Sequence, residues 1–343
     1  MNSSLIISQK KKINLGIQIL RLLLSFNIIA YHFLSAKYQT KLIFYICLYY
    51  LAFYVPTFFL ISFYYSFNAF TSKFIEKLKE RILRLLIPYI IWPVIDSLAI
   101  TLMHYLNKTD RKITFKMVYY QLIIGREINP PFYFQFNLIL MTLLFIIIIF
   151  SFTNYIHIML GLFILVILVH YFCNINEFFE GFSYIINHSI KKIFYSIIYS
   201  ITGFLLGKVE VLEHLKRKRI ESILISSVCL SVFFIYPKIL SLISNLEVIP
   251  IDFFAINIFI LFGLLPFDLI HNEKIILYIK KLTSVTGGIY YIHWNVGFLI
   301  IKNLKFIRDG SFTSCVMNFI FCYIFCFLFL KLFNNSFLKY LFI

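Results

Sequence analysis

INLGIQILRLLLSFNIIAYHF, residues 13–33, decides the fold class. It holds no acidic residue and strings enough apolar side chains together to cross a bilayer core of about 30 Å as one helix. Nine further stretches are built alike, so that with the first extended to residue 36 the candidate spans are 13–36, 42–68, 85–106, 133–153, 155–173, 193–207, 220–237, 252–267, 284–302 and 313–334. The runs are continuous rather than alternating, which excludes a transmembrane barrel. Composition agrees: 61% of the 343 residues are hydrophobic and 14% charged, with a mean hydropathy of +0.88. A soluble domain devotes about a quarter of its residues to charge. The reading is an all-α integral membrane protein, a single domain over 1–343, folded as a bundle of about ten transmembrane helices.

The net charge of +17 would raise nucleic acid as a partner for a soluble chain. Here Lys and Arg gather at the ends of apolar runs, which fits topology and anionic lipid headgroups instead. With the N-terminus inside, the inner side receives the larger share of them, predicting N-in and C-in, with the longest loop, 107–132, facing outward. The run near the N-terminus is followed by no small-residue cleavage site, so it is expected to stay as a helix. The six cysteines form no CxxC pair and no metal-ligand spacing, so no metal is expected.

Ionisable groups inside apolar spans are costly and mark candidate sites. Arg21 and His32 lie eleven residues apart on the first span, about 20° from three full turns, so both project from one face about 16 Å apart along the axis. The alternatives are that Arg21 snorkels to headgroups and His32 sits in the outer interface. Arg81 and Arg84, at i and i+3 in KFIEKLKERILRLLIPYIIW just before the third span, could hold phosphates by charge and fork geometry. Positive-inside anchoring is the commoner reading of such a pair. Pro88 then marks the opening turns of that helix. His293 lies deep in TSVTGGIYYIHWNVGF beside Trp294 and Asn295, and Asp96 is the carboxylate furthest from a segment end. Asp96 is read as pairing with a buried Arg or His or as tuning an imidazole, with a structural ion pair as the alternative. In INPPFYFQFNLILM, Gln135 and Asn137 among aromatic rings suit sugar stacking, although an interfacial aromatic belt looks the same and is the better single reading.

Taken together, these segments resemble the acyltransferase 3 family of bacterial membrane acyltransferases that modify cell-surface carbohydrates. Arg21 and His32 match its Arg-x10-His element. VPTFFLISFYYSF (55–67) resembles its second-helix pattern, with Ser62-Phe63 standing where the family has Ser-Gly-Phe. Arg81, Arg84 and LLIPYIIW match its Arg-x-x-Arg and Pro-Tyr element, GREINPPFYFQFNLI its fourth-helix passage, and GGIYYIHWNV its late Tyr-x-x-His segment. The resemblance implies transfer of an acyl group, usually acetyl, from cytoplasmic acyl-CoA to a sugar hydroxyl beyond the bacterial plasma membrane, with no bound cofactor. On that reading Arg81 and Arg84, with Arg21 deeper in, hold the donor. His32 is the general base or a transient acyl carrier. Arg21 serves as an oxyanion partner only if the helix bends. His293, Asp96, Gln135 and Asn137 are second-rank residues for positioning the acceptor or orienting the base. The rival classes are a glycan flippase, which would more often show inverted halves and paired broken helices, and a non-catalytic envelope subunit.

Overall fold

The structure, a computed structural model, describes residues 14–34, 53–71, 74–107, 110–125, 127–172, 184–240, 249–299, 311–333 and 336–341. Every regular element among them is helical. In chain order these are α1 (Leu15–Phe33), α2 (Tyr54–Thr71), α3 (Phe74–Tyr105), α4 (Phe115–Ile124), α5 (Tyr133–Ser151), α6 (Tyr155–Phe172), α7 (Tyr184–Lys208), α8 (Val211–Lys216), α9 (Arg219–Leu240), α10 (Ile249–Leu264), α11 (Glu273–Thr283), α12 (Thr286–Leu299) and α13 (Phe312–Phe333). Short 3-10 turns stand before α5 and after α10 and α13. Four stretches among the described residues are long and apolar enough to cross a membrane: Leu15–Phe33, Glu76–Tyr105, Tyr133–Ser151 and Phe312–Phe333. The outer face of α3 shows why lipid is its solvent. Ile90, Val94, Leu98 and Leu102 form an exposed apolar stripe, while Tyr89, Trp92 and Asp96 on the other side are buried.

α1 runs through the middle of the bundle, packed against α2 and α10 to α13. Asn14 caps it, its side-chain oxygen accepting from the Ile17 amide while its Nδ2 donates to the Gly263 carbonyl. The most extensive helix pairing joins α2 to α7. It is possible because α7 places Gly203 and Gly207 one turn apart against α2: a Cβ at either would stand 2.5 Å from the Leu60 or Tyr64 carbonyl oxygen. Phe204 then meets Phe145 and Phe67 edge to face while Phe63 meets Phe145 at a tilt, locking α2, α5 and α7. Gly203→Leu is expected to force α2 and α7 apart. A lowered melting temperature in detergent and reduced yield of folded protein would check this, and an unchanged melt would refute it.

Four sequence expectations change. Arg81 and Arg84 do not precede the third helix but sit within it, since α3 begins at Phe74. Glu, Lys, Leu and Arg are strong helix formers, so the helix continues past the end of its apolar run; hydropathy finds where lipid ends, not where the helix does. For the same reason the expected span 193–207 lies inside the longer α7. Pro88 accordingly marks no helix start. Both Pro88 and Pro93 are interior to α3, and the Ser97 hydroxyl donates to the Pro93 carbonyl at 2.7 Å. Finally, 107–132 is not loop throughout: α4 occupies its middle, with the Thr114 hydroxyl accepting from the Met117 amide at 3.3 Å.

Candidate active site

Between α1, α2, α3, α5 and the α11–α12 corner lies a cavity of about 820 Å³. Its wall carries five cationic side chains, Arg21, Lys77, Arg81, Arg84 and Lys280, against one carboxylate, Glu80. Arg81 is held by neutral partners: its Nε donates to the Thr142 hydroxyl at 3.0 Å, its Nη2 to the Ser62 hydroxyl at 3.1 Å, and its guanidinium lies 4.9 Å from the Phe63 ring centre. These contacts orient the charge without neutralising it. Arg84 is half exposed and pairs with Glu80 one turn earlier, an arrangement that contributes little to stability. Arg21 donates to the Gln18 amide oxygen at 3.2 Å, a little over three helical turns from the far end of α1.

Gln135 also lines this cavity, bridging two helices: its Nε2 donates to the Leu85 carbonyl at 2.9 Å and its Oε1 accepts from the Tyr291 hydroxyl at 3.1 Å. Tyr290 and Tyr291 form the deep wall, and the Tyr290 hydroxyl donates to the Pro131 carbonyl. One turn beyond them on α12 stands His293, fully buried, and beside it His32, with ring centroids 5.5 Å apart and planes 28° from parallel. Trp294 and Tyr31 meet the His32 ring edge to face. Thus α1 carries a cation into the cavity and an imidazole to its far side, and α1 is one unbroken helix over Leu15–Phe33, so the axial gap of about 16 Å between them stands.

The other sequence candidates lie outside the cavity wall. Asp96 is buried and accepts from Asn129 Nδ2 at 2.8 Å; Gln121 Oε1 in turn accepts from the Ile128 and Asn129 amides at 3.0 Å each. These bonds seat the turn that leads into α5. Asn137 donates to the Ser196 hydroxyl at 3.0 Å, tying α5 to α7, a contact of about 0.6 kcal/mol for a membrane helix pair. Asn137→Ala is accordingly expected to leave donor binding unchanged and to lower the melting temperature slightly; a large rise in the KM for acyl-CoA would contradict that role.

Sequence reasoning missed Lys77, Lys280, Ser62 and Thr142. For Lys77 a signal existed: residues 77, 81 and 84 share a helical stripe once α3 is known to start at 74. Lys280 comes from a distant segment, and only packing brings it in.

A family model described as an acyltransferase domain matches residues 14–331, from the cap of α1 to the last turn of α13. The chain belongs to the acyltransferase 3 family. It is therefore an acyltransferase and a membrane protein. Neither characterised proteins nor solved structures gave a significant match. In this acyltransferase the family span takes in the whole cationic cavity and both histidines.

Proposed function

We propose that the protein transfers an acyl group, most simply acetyl, from cytoplasmic acyl-CoA to a hydroxyl of a cell-envelope carbohydrate. The observation that carries this reading is the cavity in which five cations converge at one end of α1 while a histidine pair lies beyond its tyrosine wall. Acyl-CoA is polyanionic at one end and bears its thioester on a long thin arm. Arg81, Arg84, Lys77 and Lys280 receive the phosphates by charge and hydrogen bonds, and Arg21, deeper in, steadies the start of the arm. The axial distance from Arg21 to His32 is bridged by the arm, so Arg21 serves donor binding rather than the oxyanion. His32 takes the proton as the acceptor hydroxyl attacks the thioester carbon. The new C–O bond forms, the C–S bond breaks, and the proton passes to the departing thiolate.

In this reading the chain crosses a bacterial plasma membrane with about ten spans, N-in and C-in, so the 74–84 end of α3 opens to the cytoplasm and loop 107–132 faces outward. Tyr31 and Trp294 meet the His32 ring, and Tyr31 in turn contacts Tyr54 at 5.5 Å. Such rings supply faces on which a sugar stacks. Lipids surround the bundle, and nucleic acid has no part.

The test is chemical. O-acyl content of the surface glycan is compared in cells with and without the protein, and membranes are supplied with acetyl-, succinyl- or longer acyl-CoA. Acyl esters that appear only with the protein and only with one donor support the reading; identical glycans in both strains reject it. Within this scheme Lys280→Gln is expected to raise the KM for acyl-CoA several-fold with kcat retained, and an unchanged KM would remove Lys280 from the donor site.

A further inference from the structure

We infer that His293 positions His32 for catalysis by accepting a hydrogen bond from its imidazole N–H. The inference rests on His32 being the base, as proposed above. Nδ1 of His293 lies 2.6 Å from the Tyr290 carbonyl oxygen. A carbonyl oxygen only accepts, so Nδ1 carries the proton of this ring and Nε2 is left with a lone pair. That Nε2 is buried and has no hydrogen-bond partner among the described residues. A buried acceptor left in that condition is unfavourable, and a native fold that keeps one has a donor to offer it.

The ring beside it is His32, 5.5 Å away between centroids with the planes 28° apart. An N–H···N bond of about 2.9 Å between two imidazole edges places ring centroids about 5 Å apart, close to what is seen. His293 is fixed, since it is fully buried and Asn318 Nδ2 donates to its carbonyl at 3.2 Å. His32 is only partly buried. A small rotation of the His32 side chain therefore delivers its N–H to the waiting lone pair. With one nitrogen held in this way, the other is left as the free base. His293 exchanges no proton and touches no substrate; it acts as the carboxylate does beside the histidine of a hydrolase triad.

Two substitutions separate positioning from packing. His293→Leu fills similar space without an acceptor, whereas the side-chain carbonyl of His293→Gln reaches the Nε2 position. With radiolabelled acetyl-CoA and cell-surface glycan in vesicles, the Leu variant is expected to lose about 100-fold in kcat at an unchanged KM for acetyl-CoA and an unchanged melting temperature. The Gln variant is expected to regain about a tenth or more of the wild-type rate. A Leu variant as fast as wild type, or Leu and Gln variants equally impaired, overturns the inference. If the Leu variant does not fold, nitrogen-15 spectra of histidine-labelled wild-type protein decide. A His32 N–H coupled to His293 Nε2 supports the pairing, and its absence refutes it. Wild-type protein that acylates no glycan tells against the proposed function instead, while the nitrogen coupling still tests the pairing.

Discussion

In membranes supplied with acetyl-CoA and cell-surface glycan, His32→Ala is expected to depress acyl transfer by about 10²–10⁴-fold, the range over which a positioned general base contributes. The loss should fall on kcat. His32 lies on the far side of the tyrosine wall from the cationic cavity, whose lining includes Arg21 but not the imidazole. The donor's phosphates would therefore bind the variant as before, and the KM for acetyl-CoA should hold. Stability should change little, because the His32 ring is only partly buried and, among the described residues, meets Tyr31, Trp294 and His293 as ring contacts. Glycan acetylation equal to wild type, with the protein expressed, would remove His32 from the chemistry. A rise in KM with kcat retained would move it into donor binding.

The second large effect is expected from Arg81→Ala combined with Arg84→Ala. Charge-assisted hydrogen bonds are worth about 1.5–3 kcal/mol each, so removing both cations from the mouth of the cavity should weaken acyl-CoA binding by about 10²-fold or more. The two positions differ in kind. Arg81 is seated between Ser62, Thr142 and Phe63, so Arg81→Ala also leaves two hydroxyls without their donor and should carry most of the loss. Arg84 is half exposed beside Glu80 and should cost less alone. Isothermal titration with CoA in detergent, repeated at rising salt, measures both terms; an affinity that neither the variants nor salt alters would return the pair to membrane anchoring.

Where the family pattern reads Ser-Gly-Phe, this chain has Ser62-Phe63, and both residues form part of the seat of Arg81. Phe63 follows Ser62 directly here, and the two residues meet the same guanidinium, one by its hydroxyl and the other by its ring face. A one-residue step along α2 thus presents both groups to Arg81. In sequence this passage reads only as an eroded motif.

Much of the site was legible because charge in an apolar span is expensive and therefore conspicuous. Arg21, His32 and His293 were found in that way, whereas Arg81 and Arg84, just before an apolar span, were picked out by their i, i+3 spacing. Asp96 and Asn137 were found by the same filter, yet the contacts the structure shows for them seat a turn and join two helices. A polar group in hydrocarbon must find a partner whether its service is catalysis or packing, and the filter responds to both alike. Lys77 and Lys280 escaped for the opposite reason: beyond the apolar run a lysine is cheap, so nothing in one dimension separates a lysine in a cavity wall from a lysine at a headgroup.

What the sequence determined by itself is the solvent and the class: long apolar runs can satisfy their backbone in lipid only as helices, and the order of Arg-x10-His, Arg-x-x-Arg and Tyr-x-x-His named the family. Tertiary structure alone decided which of the charges converge, that Arg81 is oriented by two hydroxyls from other helices, and that His293 lies beside His32, ring centroids 5.5 Å apart, across more than 250 residues of chain. The physical reason is that hydropathy is a local sum along the chain, whereas a cavity and a pair of facing imidazoles depend on how α1, α3 and α12 are turned about their axes. That turning is set by contacts such as Gly203 and Gly207 against α2, which no single segment contains.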